Sequence, residues 1–175
     1  MHQVEVRESQ IHGRGVFAAS DIPGGELIRE YNLVREITAS HPIDPEQGES
    51  KEHCTYLGDR VFVVGPPDRY FNHSCDPNAY KRFRGATIEI VARRDISASS
   101  EIVHDYVINT HGGSTWTCRC GSPRCRGVMP RSFFELPKSI QIEYLPFLAE
   151  WFVSRHAGRV RQLKGEARRP IGGSH

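Results

Sequence analysis

Four of the five cysteines in this chain are placed so that they constrain its fold more than any other feature. Cys118, Cys120 and Cys125 fall in one short Cys-x-Cys-x4-Cys run that closes on Gly127. The fourth, Cys75, lies far upstream, at the end of Arg69-Tyr70-Phe71-Asn72-His73-Ser74-Cys75. A tetrahedral zinc site takes four soft ligands, so three sulfurs from a loop and one from a distant segment would clamp a C-terminal flap onto an earlier part of the chain. The run is too dense for ordinary buried cysteines. Four thiolates leave no open position for water, so the expected zinc is structural. An odd cysteine count argues against a closed disulfide framework and leaves Cys54 spare, which points to a reducing, intracellular compartment.

A chain of 175 residues suits a single core, and a domain of that size buries roughly 70% of the surface its unfolded chain exposes. The longest apolar run is far short of the ~20 residues that cross a bilayer, and Met1–Glu5 lacks the basic-then-apolar layout of a signal peptide. A soluble protein with no membrane partner and no export signal is expected. Charge is unevenly spread. From Phe152 onward there are six basic residues (Arg155, Arg159, Arg161, Lys164, Arg168, Arg169) and one acid, Glu166, while the rest, 17 basic against 20 acidic, carries −3. An acidic body would steer a lysine-rich partner towards it. The basic tail could touch nucleic acid or simply solvate a helix end, and direct nucleic-acid contact is not predicted.

Short β-like runs dominate the first two thirds: Val4–Arg7, Gly15–Ala18, Glu26–Ile28, Val61–Val64, Ala86–Val91 and Glu101–Val103, separated by turn signals such as Pro23-Gly24-Gly25 and Gly65-Pro66-Pro67-Asp68. Thr38–Lys51 is polar, contains two prolines and reads as a surface loop. Phe147, Leu148, Trp151 and Phe152 recur at helical spacing and predict an amphipathic helix starting just past Pro146. The expected architecture is a mostly β body, a small metal flap and a helical extension.

Four motifs in order, Gly13-Arg14-Gly15-Val16-Phe17-Ala18, Arg69 to Asn78, Glu101-Ile102-Val103-His104-Asp105-Tyr106 and the cysteine run, resemble those of the SET-domain protein lysine methyltransferases. The resemblance spans roughly Glu5 to Gly127. It implies a mostly β fold (the β-clip or SET fold), with small β-sheets around a pseudo-knot in which the segment ending in Asp105-Tyr106 threads beneath Asn72-His73. It also implies a division into a SET domain (1–110), a zinc-bound post-SET loop (111–130) and a C-terminal helical extension with a basic tail (131–175).

The implied activity is S-adenosyl-L-methionine-dependent N-methylation of a lysine in a protein substrate, with histone tails as one candidate and nuclear or host-nuclear action as one setting. Glycines at 13 and 15 permit a sharp turn and close backbone approach to a ligand. By resemblance this loop, with Arg14, holds the methionine part of the cofactor, Asn72 contacts its amino-acid end, and His73 uses mainly its backbone on the adenine. Tyr106 is implied as the central catalytic residue and Tyr56 as a second tyrosine of the lysine channel. Trp116 either stacks on the adenine, covers the channel or packs. Cys75, Cys118, Cys120 and Cys125 are the implied zinc ligands.

The chain departs from the family pattern at three places. His104 stands where relatives carry Phe or Tyr, a position that bears on how many methyl groups are added. Ser99-Ser100-Glu101 replaces the more usual Gly-Glu-Glu, a change expected to alter a turn. The segment from Asn32 to Arg60 is short where relatives grip the peptide. A catalytically weak, zinc-stabilised module that binds peptide or nucleic acid is the alternative. A cysteine hydrolase using Cys54 is poorly supported, since nothing marks an oxyanion-binding loop.

Overall fold

The alternating Val4-Glu5-Val6-Arg7 and the apolar Gly15–Ala18 become the two strands of an antiparallel hairpin, β1 (Val4–Glu8) and β2 (Arg14–Ala18), with Val6 opposite Val16. The computed structural model describes residues 1–168; Arg169, the end of the expected basic run, lies outside them. Two compact units are distinguished. One comprises Met1–Asp105 with Cys118–Gly127, and the other Tyr106–Thr117 with the chain from Val128 onward.

The first unit adds two three-stranded antiparallel sheets. In one, β3 (Leu27–Glu30) and β7 (Ala79–Arg84) flank β8 (Thr87–Ala92). In the other, β4 (Leu33–Ile37) and β5 (Cys54–Leu57) flank β6 (Arg60–Val64). The central strand β6 carries an uninterrupted apolar run, Val61–Val64, and β8 carries one broken only by Glu89, which pairs with Arg82. β8 is buried from Ile88 to Ala92. Val16, Ala18, Ile28, Phe71, Ala79, Ile90 and Ile102 meet in one core cluster.

Glu101–Val103 is not a strand. Glu101 bridges Phe17, the Ile102 N–H donates to Val16 O at 2.7 Å, and Val103 O accepts from the Ala79 N–H at 3.0 Å. Successive residues bond to different neighbours, so no ladder propagates. The next residue, His104, forms a parallel bridge with His73, donating to Asn72 O and accepting from the Ser74 N–H, both at 3.2 Å. The segment therefore passes between β2 and residues 72–79, the close approach that the sequence motifs imply. Thr38–Lys51 is a loop with a 3-10 turn at Pro45–Gln47 and a second, Lys51–His53, beginning at its end; it is tied down by Glu49, which pairs with Arg35 and accepts the Asp44 N–H at 2.8 Å.

In the second unit β9 (Trp116–Thr117) pairs with β10 (Val128–Met129), followed by α1 (Lys138–Tyr144), α2 (Glu150–Arg155) and α3 (Ala157–Ala167). The expected helix begins at Glu150, later than Pro146, which lies in a 3-10 turn. Leu148 and Ala149 are extended because Asn109 Oδ1 accepts the Ala149 N–H at 2.7 Å and caps the helix from outside. Phe152 is buried against Phe133 and stacked on Phe134 at 5.5 Å. No described helix is long and apolar enough to cross a membrane.

Candidate active site and metal centre

The glycine loop is held from below by side chains. The Asn72 carboxamide nitrogen donates to Arg14 O at 2.9 Å and His12 O at 3.2 Å, and also to Glu101 Oε1 at 2.8 Å. Ser9 Oγ reaches both Glu101 oxygens at 2.9 Å and accepts the Ile11 N–H. Gly13 has φ +49°, a conformation that favours glycine. Gly15 is required for another reason: a Cβ there would meet Glu101 Oε1 at 2.2 Å. Arg14 lies on the exposed side with its guanidinium over the Tyr70 ring at 4.9 Å.

Behind Asn72 is a buried charged group. Asp105 forms a two-pronged pair with Arg126 at 2.7 and 2.9 Å. His73 lies between Asp105 and the sulfurs, with Nδ1 3.6 Å from Asp105 Oδ1 and Nε2 3.4 Å from Cys75 Sγ. Burial lowers its pKa to about 4, against the pull of Asp105 and with the help of Arg126. His73 is therefore neutral at physiological pH.

The ligand atoms of Cys75, Cys118, Cys120 and Cys125 all lie within 4.8 Å of one another, and none forms a disulfide. This group could hold a metal ion. Cys75 Sγ and Cys118 Sγ are 3.7 Å apart; a tetrahedron with metal–sulfur bonds of ~2.3 Å has edges of about 3.8 Å. Backbone N–H groups point at the sulfurs, from Arg126 to Cys75 at 3.4 Å and from Cys75 to Cys120 at 3.5 Å. Burial pushes the Cys75 thiol up to about 11 and the Cys118 thiol up as well. Burial acts the same way on Cys120, but the N–H groups of Cys75 and Ser122 together with the thiols of Cys118 and Cys125 outweigh it and bring that thiol down to about 7. Buried thiols that resist ionisation alone are stabilised as thiolates by a bound dication.

His104 is buried, and its Nε2 lies 3.2 Å from the Tyr31 hydroxyl. Burial holds its pKa well below 6.5, with Lys81 and His73 adding to the effect. Tyr31 stacks on Phe71 at 6.0 Å. On β5 the pleat sends neighbouring side chains to opposite faces: Thr55 is 4% exposed, and Tyr56 is 63% exposed. In the second unit Tyr106 is 44% exposed, tilted against Trp116 at 6.3 Å, and its carbonyl accepts from Thr110 Oγ1 at 2.8 Å.

The structure thus joins Asn72 to the glycine loop, His73 to His104, and the four cysteines to one another. Sequence reading missed Ser9, the role of Glu101 under the loop, the pairing of Asp105 with Arg126, and the group around Tyr31. Glu101 was visible as part of a β-like run and of the motif ending in Tyr106, but not as the group that packs under the loop.

Residues 13–107 match the family model described as the SET domain. The chain belongs to the SET-domain family. Curated relatives include the histone-lysine N-methyltransferase trr of Drosophila melanogaster, 34% identical over 142 residues that cover 73% of this chain and 6% of that protein. Another is the human histone-lysine N-methyltransferase 2B, 32% identical over 135 residues, 70% of this chain and 5% of that one. A third, the H3 lysine-36 specific histone-lysine N-methyltransferase of Candida albicans, is 30% identical over 135 residues, 70% of this chain and 16% of that protein. The chain thus spans a small fraction of the length of these relatives. Among solved structures, a Plasmodium falciparum protein described as a histone methyltransferase superposes with a TM-score of 0.50 at 20% identity, covering 61% of this chain and 94% of that one. That likeness supports the SET fold of small antiparallel sheets.

Proposed function

We propose that this SET domain is a protein-lysine N-methyltransferase that uses S-adenosyl-L-methionine, with lysine-bearing histone tails as its substrate class and the nucleus as its place of action. The observation that carries the reading is the join at Asn72, whose side chain fastens the Gly13–Gly15 loop while its backbone runs beside the segment that leads into Tyr106.

The cofactor, when bound, supplies an electrophilic methyl group on a cationic sulfur. The exposed face of the Gly13, Arg14 and Gly15 loop, with Asn72 and His73, is assigned to hold it. Asn72 spends its amide hydrogens on the loop, so its remaining polar group for a ligand is the carboxamide oxygen. Tyr106 is assigned as the catalytic residue, its hydroxyl orienting the attacking amine. Trp116, tilted against Tyr106, is assigned to stack on the adenine or cover the channel, and Tyr56 is assigned as a second tyrosine of the lysine channel. A lysine ammonium with pKa ~10.4 costs about 4.6 kcal/mol to neutralise at pH 7. Desolvation and a neighbouring cation both reduce that cost. His104, neutral and bound to Tyr31, bears on the number of methyl groups transferred through the room and water it leaves beside the amine.

The ion at the four cysteines is proposed to be zinc. Four sulfurs at tetrahedral spacing fit it, and all four would be thiolate ligands, so its role is structural. Divisions at 1–110, 111–130 and 131–175 remain the proposed functional segments.

Calorimetric titration with S-adenosylhomocysteine tests this reading. Saturable binding that weakens at least about tenfold in Asn72→Ala is the expected result, a loss of ~1.4 kcal/mol. A folded protein that binds peptide or nucleic acid but ignores the cofactor product would favour a binding module.

A further inference from the structure

Of the basic residues from Phe152 onward, two lay their guanidiniums over aromatic rings: Arg155 is 5.8 Å from the centroid of Trp151 and Arg159 is 3.8 Å from that of Phe134. Arg161, Lys164 and Arg168 do something else. They belong to α3 and its C-cap, and all three are exposed. At 3.6 residues per turn their spacing places them within a sector of ~60° along ~10 Å of helix axis. Val160 and Leu163 are the buried residues of this helix. Its one acid, Glu166, lies on the far side from the three cations, held by Lys138 Nζ at 3.3 Å and Gln162 Nε2 at 3.0 Å. Among the described residues no carboxylate pairs with Arg161, Lys164 or Arg168. Compensation of the helix dipole accounts for cations at the C-terminal end, Lys164 and Arg168, but not for Arg161 in mid-helix. Beside Arg161 stand Gly158 and Gly165, and nothing lies within 4 Å of where a Cβ on either would sit, so the backbone there is open to close approach.

We propose that the Arg161, Lys164 and Arg168 face of α3 docks on the phosphate backbone of duplex DNA. One strand of a duplex carries a phosphate every ~3.4 Å of axis, so a stripe of ~10 Å meets about three of them, one per cation. The two guanidinium forks match pairs of phosphate oxygens, and the lysine acts as a point charge. Binding of single strands relies on aromatic rings as stacking platforms, and this face has none. A helix that lies in a membrane surface needs large apolar side chains beside its cations. Here the neighbours are Ala157, Gly158 and Gly165, while Val160 and Leu163 are buried. Contact through the backbone carries no base preference. DNA is chosen among phosphate polymers because it wraps histones, a choice that rests on the histone reading above.

The test is fluorescence anisotropy of a short labelled DNA duplex of arbitrary sequence, titrated with the full chain at several salt concentrations, beside a duplex RNA of the same sequence and vesicles of phosphatidylserine with phosphatidylcholine. Three phosphate contacts give a log–log salt slope of about −2.7, so wild-type affinity is expected to fall about 40-fold between about 50 and about 200 mM salt. The triple variant Arg161→Ala, Lys164→Ala, Arg168→Ala, shown by circular dichroism to be folded, is expected to lose at least about tenfold at the lower salt and to flatten the slope by about 2.7. Arg161→Lys with Arg168→Lys, which keeps the charges, is expected to keep the slope. A wild type that binds no duplex at up to about 100 µM, the weak end of non-specific binding, overturns the proposal. So does a folded triple variant with wild-type affinity and slope. Tighter binding to the RNA duplex or the vesicles, lost in the same variant, overturns DNA as the occupant. An active methyltransferase that ignores the duplex fails the docking face alone, whereas duplex binding by a chain that methylates no lysine supports the docking face and counts only against the reading above.

Discussion

Glu101 Oε1 lies 2.2 Å from where a Cβ on residue 15 would sit, and Ser9 and Asn72 hold that carboxylate in place. The glycine of the second loop position is thus dictated by a side chain 86 residues away in sequence, whatever the loop binds. Gly15→Ala is expected to destabilise the fold by about 1–3 kcal/mol, the usual cost of overpacking. In a Glu101→Ala background the same change should cost much less. Urea denaturation of the four proteins checks this; an equal penalty in both backgrounds would mean the carboxylate is not the obstacle.

Ser99 adopts φ +65°, and its N–H donates to Ala18 O at 2.8 Å. The turn is thus made with a serine in the left-handed region. Since that region costs an ordinary residue about 1–2 kcal/mol, partly offset by the greater chain entropy of unfolded glycine, Ser99→Gly is expected to stabilise by up to about 1 kcal/mol. Thermal unfolding reads the sign directly, and a lowered midpoint would contradict the strain.

His104 predicts an acid dependence. Its folded pKa lies well below 6.5 through burial, so below pH ~6.5 the unfolded chain takes up a proton that the folded one refuses. Stability therefore falls as pH falls, by about 1.4 kcal/mol per unit once well below the unfolded pKa. His104→Gln removes that contribution. Denaturation at several pH values should show the wild type losing more stability than the variant between pH 6 and 5, and parallel losses would count against a neutral buried imidazole.

The metal site predicts a local effect. Apparent binding energies for structural zinc in small peptides are on the order of 10–16 kcal/mol, so chelation or Cys120→Ser should release the 118–127 segment. Amide exchange there should rise by orders of magnitude while β6 and β8 stay protected. Metal analysis should find one zinc per chain before treatment. A chelated protein with unchanged exchange in that segment would show that the sulfurs need no ion.

How much of this was legible in the sequence depended on whether the cause was local. Cysteine spacing is a one-dimensional signal, and it located the sulfur cluster. β8 and β6 carried apolar runs that needed no context. β7, reading Ala79-Tyr80-Lys81-Arg82-Phe83-Arg84, hid behind its basic residues, so neither the strand nor the half-buried Lys81 could be seen. Glu101–Val103 looked like a strand because its residues are β formers; only the segments on either side decide that it bonds in single bridges. The late start of α2 depends on Asn109, forty residues upstream of Ala149. Tyr56 stood out by type, whereas the pleat of β5 buries Thr55.

The most direct test of the account is mass spectrometry of lysine-bearing histone tails incubated with the zinc-loaded protein and S-adenosyl-L-methionine, run beside Tyr106→Phe. The account predicts methyl mass added to lysine by the wild type and a rate lower by on the order of 100-fold in the variant, the scale of loss when a reacting group is no longer aligned. A folded, metal-loaded wild type that adds no methyl group to any lysine of the histones or of a whole lysate would contradict it.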